Sequence, residues 1–157
     1  MQRRWALVVV VALAVSGSAV VPSAFAAHRS VDRAARGRPV LSIGSTLVGS
    51  LLVNGRGYTV FMFTKDKHNR DVCRTIKGCE TDWPAVTTKG RLVLGRGINR
   101  KLVGTIPYKG KVRELTYDGR PLHTYKFDYS PESILNIGNS QFGGDWWALS
   151  PTATLVK

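Results

Sequence analysis

The sequence predicts an all-β or β-dominated fold, with two related β-hairpin or meander repeats in one small domain and at most one short helix. Short β-branched and aromatic runs alternate with turn-forming residues, and the chain contains 16 Gly and 7 Pro. No window shows a sustained helical period with caps, apart from a short turn around residues 75–83. With 157 residues, 43% hydrophobic and 21% charged, the chain is long enough for one core and too apolar for general disorder.

The individual strands are predicted from runs that flank turn signals. Residues 46–53 and 58–63 flank Asn54-Gly55, and both runs are rich in β-branched or aromatic side chains. Asn-Gly between such runs favours a hairpin, because both residues tolerate a positive φ. A second meander and a last strand are predicted from residues 102–106, 112–117, 122–127 and 146–149, with Lys109-Gly110 and Asp118-Gly119 at the meander turns.

Residues 1–26 have the pattern of a secretory signal peptide. Arg3 and Arg4 precede an apolar run over residues 5–15, and Ala24-Phe25-Ala26 offers small side chains where a signal peptidase cleaves. Gly, Ser and Pro after the run favour cleavage over a retained anchor, so no transmembrane segment is expected in the mature chain. No Cys lies near the cleavage site, so a lipid anchor is not expected. General and twin-arginine export both stay open.

The positive charge is divided between three parts of the chain. Of the net +13, the signal peptide carries +2, a basic flexible arm over residues 27–39 carries +3, and the secreted domain of residues 40–157 carries +8. A basic surface favours an anionic cell-envelope partner, either an acidic polymer or lipid headgroups. Nucleic acid is not an expected partner, because an exported protein rarely meets it.

Two segments 62 residues apart share the pattern ring, any residue, aromatic ring, two residues, Asp. They belong to the repeat copies around residues 47–66 and 112–128, and their motif residues are Phe61, Phe63, Asp66, His123, Tyr125 and Asp128. In a strand the first and third positions share a face, so each copy has a ring pair. The Asp falls where the strand ends, and its carboxylate can accept backbone N–H bonds in the next turn. Packing of the rings in the core, with an Asp that caps the end of each strand, therefore explains the motif without a binding or catalytic site. Such a site stays an alternative.

The two copies resemble the Tyr-x-[Phe/Trp/Tyr]-x-x-Asp motif of a bacterial family of secreted repeat proteins and predicted lipoproteins. The resemblance covers about residues 45–152, including residues 51–57, Cys73, Cys79, Trp83-Pro84, and residues 102–106, 116–122 and 142–147. That family is uncharacterised, so the resemblance implies an exported β-rich repeat domain without an assigned activity. The chain departs from the motif at its first position, where Phe61 and His123 replace Tyr. Any chemistry of those tyrosine hydroxyls would be lost, and His123 introduces a titratable imidazole.

The only cysteines, Cys73 and Cys79, are expected to form a disulfide in an oxidising compartment. A rival interpretation is a metal site made of both cysteines with His68 and Asp71, but the spacing fits no standard zinc or copper motif. A redox-active pair is also disfavoured, because five residues separate the cysteines. Neither a metal nor a cofactor is therefore expected.

The motifs favour a non-catalytic binding or structural module of the cell envelope. No nucleophile–histidine set, nucleophile elbow or phosphate cradle can be identified, so the chain is not expected to be an enzyme. The candidate binding residues for a sugar or a phosphate-rich polymer are Trp83, Trp146 and Trp147. Strand alternation places the rings of Trp146 and Trp147 on opposite faces, with one of them in the core.

Two alternatives belong to other functional classes. The first is an extracytoplasmic redox, metal or haem accessory protein that uses His123, with Met62 and the aromatic pairs nearby in sequence. The second is a hydrolase that uses Asp66 and Asp128, which requires that the two repeats bring these carboxylates together as an acid–base pair. Clustering of the motif side chains in one open cleft would favour a site, and their separation into two cores would favour an architectural role.

Overall fold

The computed structural model describes residues 37–157, and within that range the fold is β-dominated, as predicted. The predicted signal peptide and all but the last three residues of the predicted arm lie outside the described residues. In chain order the strands are β1 Leu41–Thr46, β2 Gly49–Asn54, β3 Phe61–Phe63, β4 Thr87–Thr88, β5 Val103–Pro107, β6 Arg113–Tyr117, β7 Arg120–Pro121, β8 Asn139–Gln141, β9 Gly144–Leu149 and β10 Leu155–Val156. A 3₁₀ turn over Cys73–Thr75 and the helix α1, Cys79–Asp82, lie between β3 and β4.

The strands form three small antiparallel sheets. The first is the β1–β2 hairpin, with Leu41 opposite Asn54 and Thr46 opposite Gly49. The second has the order β10-β9-β3, and β8 also pairs with β9. The third has the order β4-β6-β5, and β7 pairs with β6. Short strands with tight turns follow from the high frequency of Gly and Pro, since neither residue favours long regular strands.

The first predicted hairpin forms, but with different boundaries. Residues 46–53 were predicted as one strand, and this is wrong because the chain turns at Leu47 and Val48 between β1 and β2. The predicted turn after β2 is present, since Asn54 N–H donates to the carbonyl of Tyr58 at 2.8 Å. Its positive φ of 91° is at Gly57 and not at Asn54-Gly55, because the Asn54 carboxamide oxygen instead accepts the N–H groups of Arg56 and Tyr58.

The second predicted meander is confirmed for two of its three strands. β5 and β6 form a hairpin, and Asp118 and Gly119 both adopt a positive φ, 51° and 70°, in the turn to β7. The predicted third strand over residues 122–127 is wrong, because β7 ends at Pro121 and the chain turns again where Asp128 N–H donates to the carbonyl of Tyr125. The last predicted strand is present within β9, which is followed by β10.

The predicted helical turn and disulfide are both present. Cys73 and Cys79 are joined, with their Cα atoms 5.3 Å apart, and the bond links the 3₁₀ turn to α1. Both sulfurs are therefore oxidised, and the rival metal site that required two thiolates with His68 and Asp71 is wrong. No helix within residues 37–157 has the length and apolar character needed to cross a membrane.

The core consists of two groups of buried side chains. The first is mainly aliphatic and contains residues from the hairpins, among them Leu41, Leu52, Val60, Leu115, Tyr117, Leu122 and Leu149. The second is aromatic and surrounds the disulfide, with Phe61, Phe63, Trp83 and Trp146 fully buried. The rings of Trp83 and Trp146 stack with centroids 4.0 Å apart and an interplanar angle of 4°. Burial of large rings in contact stabilises this half of the domain by more than its apolar area alone.

Candidate functional site

The two motif copies contact each other at their first residues. Phe61 N–H donates to the carbonyl of His123 at 2.8 Å, and His123 N–H donates to the carbonyl of Phe61 at 2.9 Å. This reciprocal exchange is the hydrogen-bonded pair of an antiparallel ladder. On the outer sides, Phe61 pairs with Ala148 and His123 pairs with Ala85. The motif residues are thus neighbours in space although 62 positions separate them in sequence.

The contacts on either side of this pair are also reciprocal between the two motif segments. Each motif segment pairs with an Asp-Trp-x-Ala segment that follows the other copy, residues 145–148 for the first copy and residues 82–85 for the second. Thr64 N–H donates to the carbonyl of Asp145 at 3.0 Å, and Lys126 N–H donates to that of Asp82 at 2.9 Å. The two copies are therefore interlocked around one aromatic stack.

Asp66 and His123 form the polar contact at this junction. Oδ2 of Asp66 lies 2.9 Å from Nε2 of His123, and the two side chains are 2% and 1% exposed. Nδ1 of His123 lies 3.2 Å from the carbonyl oxygen of Trp83, which can only accept, so Nδ1 carries a hydrogen and donates. Oδ1 of Asp66 accepts the N–H groups of Val72 and Cys73, which is the predicted capping role.

Asp128 occupies the equivalent motif position but has different partners. Its Oδ1 accepts a hydrogen bond from Nδ2 of Asn136 at 2.6 Å, and burial raises its pKa above the ordinary range. Phe61 occupies in the first copy the position that His123 occupies in the second. Its ring has no polar atom, so it cannot bond to Asp128 as His123 bonds to Asp66. Asp66 and Asp128 share no hydrogen-bond partner within residues 37–157, so the described structure does not join them as an acid–base pair.

Two further carboxylates lie beside Asp66 and His123. The side chains of Asp71 and Glu114 are fully buried, and Arg74 Nε lies 3.2 Å from Oδ2 of Asp71 and 3.8 Å from Oε2 of Glu114. One donor atom each from Asp66, Asp71 and His123 lie within 4.8 Å of one another. Oδ2 of Asp71 is thus paired with Arg74, whereas neither carboxyl oxygen of Glu114 has a hydrogen-bond partner in the described part of the chain. We call Asp66, Asp71, Glu114 and His123 the carboxylate–histidine cluster.

The environment of Glu114 strongly favours its neutral form. Burial, followed by the negative charge of Asp71, raises the pKa of Glu114 to about 9, although the Arg74 guanidinium opposes the shift. Glu114 is therefore protonated at neutral pH in the folded protein. Such a buried, perturbed carboxyl next to other titratable groups is typical of functional sites, although ion-pair networks also produce it.

Glu114 was not among the site residues predicted from sequence. In β6 the side chains of Leu115 and Tyr117 pack in the aliphatic core, and Glu114 lies on the alternate face with Thr116. All four are buried, so an acidic residue stands in a strand that is covered on both faces. The pattern Glu-Leu-Thr-Tyr in a predicted strand was the available signal, but only the tertiary structure reveals which residues cover Glu114.

A cleft of about 350 Å³ leads from solvent to the Asp66 side of the cluster. Met62, His68 and Arg120 line it, together with the turn at Gly119. His68 is exposed, and its ring lies over Gly119. The cleft gives small ions or molecules a route to the edge of the cluster.

The three candidate binding tryptophans differ in accessibility. Trp83 and Trp146 are fully buried, and Nε1 of Trp83 donates to Gln141, so neither ring presents a surface to a ligand in this structure. Trp147 is half-buried, and Nζ of Lys157 lies 5.8 Å from its ring centroid. The predicted opposite orientation of Trp146 and Trp147 is present, and only Trp147 of the three retains an accessible ring. Tyr125, the other motif ring, is half-buried against Trp83 at 4.3 Å.

The cations and the carboxylates of the domain are distributed unequally. Residues 83–113 contain no Asp or Glu, and eight exposed cations lie there: Lys89, Arg91, Arg96, Arg100, Lys101, Lys109, Lys111 and Arg113. We call these eight residues the basic surface. Conversely, the side chains of four carboxylates are buried, namely Asp66, Asp71, Glu114 and Asp128. The outside of the domain is therefore more positive than its composition indicates.

Comparisons with known proteins return no match, whether to a family model, to a curated protein or to a solved structure. The family resemblance seen in the motifs stays a prediction. The function of the chain must therefore be inferred from the residues and their geometry.

Proposed function

We propose that this protein is an exported member of the secreted repeat family that its motifs resemble, and that it acts outside the cytoplasmic membrane as a non-catalytic module that binds an anionic cell-envelope polymer. The signal-peptide pattern of residues 1–26 supports export. The Cys73–Cys79 disulfide is compatible with it, since disulfides persist in oxidising compartments. The basic surface is the observation that carries the binding function.

The basic surface lies on the third sheet and on the loop between its strands β4 and β5. Five of its cations lie between β4 and β5, and the other three are on the β5–β6 hairpin. Within residues 37–157 only Lys109 of the eight has an ion pair, 3.4 Å from Glu80. Unpaired exposed cations lose little solvation energy when an anion approaches, and their summed field attracts a polyanion over several ångströms.

A polymer with repeated phosphate or carboxylate groups fits such a surface better than one small anion does. Each exposed ion pair contributes only about 0–1 kcal/mol, so useful affinity requires several contacts at once. A polyanion supplies these contacts along its length, and the attraction weakens as salt shortens the Debye length from about 10 Å at 0.1 M to about 3 Å at 1 M. Salt-sensitive retention on isolated cell walls is therefore expected.

The test compares two variants of equal net charge. One replaces Lys89, Arg91, Arg96, Arg100 and Lys101 with Gln, and the control replaces five exposed cations elsewhere, namely Lys65, Lys67, Arg70, Lys77 and Lys157. Retention on walls that carry teichoic-acid-like polymer is measured between about 0.05 M and about 0.5 M salt. We expect the first variant to lose most of its retention and the control to keep most of it.

Three results would contradict the proposal. Retention that does not depend on salt would exclude the electrostatic mechanism. Equal losses in both variants would indicate a general effect of net charge without a binding surface. Stronger binding to phosphatidylglycerol vesicles than to walls, with the same dependence on the basic surface, would replace the polymer with lipid headgroups as the partner.

A further inference from the structure

The carboxylate–histidine cluster has more acceptor atoms than the described part of the chain can satisfy. Glu114 is fully buried, yet neither of its carboxyl oxygens has a hydrogen-bond partner, whereas Oδ2 of Asp71 is paired with Nε of Arg74 at 3.2 Å. A buried polar atom without a partner costs about 1–3 kcal/mol, so such atoms are rare and usually indicate a ligand, an ion or a water. Both side chains lie against the same Nε of Arg74, which places them on one side of the cluster.

His123 is held in the orientation that metal-binding histidines use. Its Nδ1–H donates to the carbonyl of Trp83, and this bond directs Nε2 into the cluster, towards Oδ2 of Asp66. Metal-ligating histidines commonly donate their second ring N–H to a backbone carbonyl or a carboxylate, which selects the tautomer and the ring orientation. With Nδ1 engaged by the carbonyl of Trp83, Nε2 is the ring nitrogen that can ligate an ion in the cluster.

The spacing of the donor atoms suits one shared ion. Two ligand atoms about 2.1 Å from an ion and at right angles are about 3.0 Å apart. Nε2 of His123 and Oδ2 of Asp66 are separated by 2.9 Å. All three donor atoms lie within 4.8 Å of one another, which is close to the separation of about 4.2 Å between opposite ligands of such an ion.

From these contacts we propose that Asp66, Asp71 and His123 bind one divalent transition-metal ion of the Zn²⁺ or Mn²⁺ class, with Glu114 as a buried carboxyl beside the site. Carboxylate oxygens with one imidazole nitrogen suit such borderline-to-hard ions, whereas Cu⁺ prefers thiolate and thioether ligands. The two sulfurs next to the cluster are in the disulfide and supply no thiolate. Mg²⁺ and Ca²⁺ prefer oxygen ligands alone, which leaves the imidazole unexplained.

The proposed site also accounts for the contacts between distant segments. Asp66 and Asp71 belong to the loop after β3, Glu114 belongs to β6, and His123 follows β7. One ion would join the loop after β3 to the segment after β7, with β6 beside it, and the cleft beside Asp66 supplies its entry route. The site is distinct from the basic surface, so metal binding and polymer binding can fail independently.

The experiment titrates Mn²⁺ and Zn²⁺ into the untagged, disulfide-bonded chain after chelator treatment, with binding followed by calorimetry and, for Mn²⁺, by electron paramagnetic resonance. We expect one ion per chain. We expect Asp71→Asn and His123→Gln to weaken binding by at least about 10-fold to 100-fold. Asp128→Asn is the matched control, because it makes the same change at the equivalent motif position, and it should bind like the wild type.

A second measurement does not depend on the folding of any variant. Substoichiometric Mn²⁺ broadens the nuclear magnetic resonance signals of groups next to it, and the exposed ring of His68 provides an internal comparison for the buried ring of His123. We expect the His123 ring signals to broaden first. Absence of saturable binding to the wild type at millimolar metal, or broadening of His68 without His123, would show that the cluster is only a structural polar network and would overturn the proposal.

Discussion

Replacing Glu114 with Gln should remove a pH dependence from the stability of the metal-free protein. Burial raises the pKa of Glu114 from 4.5 to about 9 in the folded state, whereas the unfolded chain keeps the ordinary value. Between these values the folded state binds a proton that the unfolded state has released. Stability is therefore fully present below the unfolded pKa and is lost as the pH rises towards the folded pKa.

The size of the effect follows from the shift. One pH unit within this window changes the free energy of unfolding by about 1.4 kcal/mol, so the wild type should lose up to about 4 kcal/mol from about pH 5 to about pH 8. Gln has nearly the shape of a protonated Glu, but it does not titrate. The Glu114→Gln variant should match the wild type near pH 5 and exceed it near pH 8.

Urea unfolding with a chelator present, followed by far-ultraviolet circular dichroism, measures this difference. Glu80→Gln is the control, because Tyr108 and Lys109 bond to Glu80 and its pKa is lowered from 4.5, which places its titration below the window. That variant should retain the wild-type slope between about pH 5 and about pH 8. Equal slopes for the wild type and Glu114→Gln would refute the assignment of a buried, neutral carboxyl to Glu114.

Two further variants test the local structure. Replacement of Cys73 and Cys79 with Ala should lower the free energy of unfolding by about 2 kcal/mol in the chain-entropy model, and a loss near zero by urea titration would indicate that the short loop needs no cross-link. Gly119→Ala should cost about 1–2 kcal/mol, because φ is +70° and a Cβ would lie 2.1 Å from the His68 ring. Gly110→Ala, where φ is +56° and no atom lies within 4 Å of the added Cβ, should lower the free energy of unfolding by less. Removal of the His68 ring should abolish this difference between the two glycine variants.

The elements that could be predicted from sequence are those specified by neighbouring residues. The β5–β6 hairpin and the Asp118-Gly119 turn depend on β-branched runs and residues that tolerate a positive φ, so a short window contains the necessary information. The strand predicted over residues 46–53 was wrong because Leu47 and Val48 are apolar, and an apolar pair gives no turn signal. Their side chains are 98% and 47% exposed, which the pattern did not indicate.

The candidate site shows the limit of this approach. The motif analysis identified Asp66 and His123 as unusual residues, and it explained Asp66 as a cap, which matches its bonds to the N–H groups of Val72 and Cys73. Only the hydrolase alternative paired Asp66 with Asp128, and the structure places the Asp66 carboxylate against His123. The reason is that the two copies associate antiparallel, which brings the end of one motif near the start of the other.

The sequence alone thus determined the β-dominated class, the disulfide, the two motif copies and the excess of positive charge, because composition, spacing and short-range turn chemistry decide these features. Only the tertiary structure decided where the charges lie. It buried Glu114 and Asp71 beside Asp66 and His123, and it left the cations of residues 83–113 exposed without a neighbouring carboxylate in that segment. Burial and proximity depend on how distant strands pair, and that pairing minimises the free energy of the whole chain and not of any single segment.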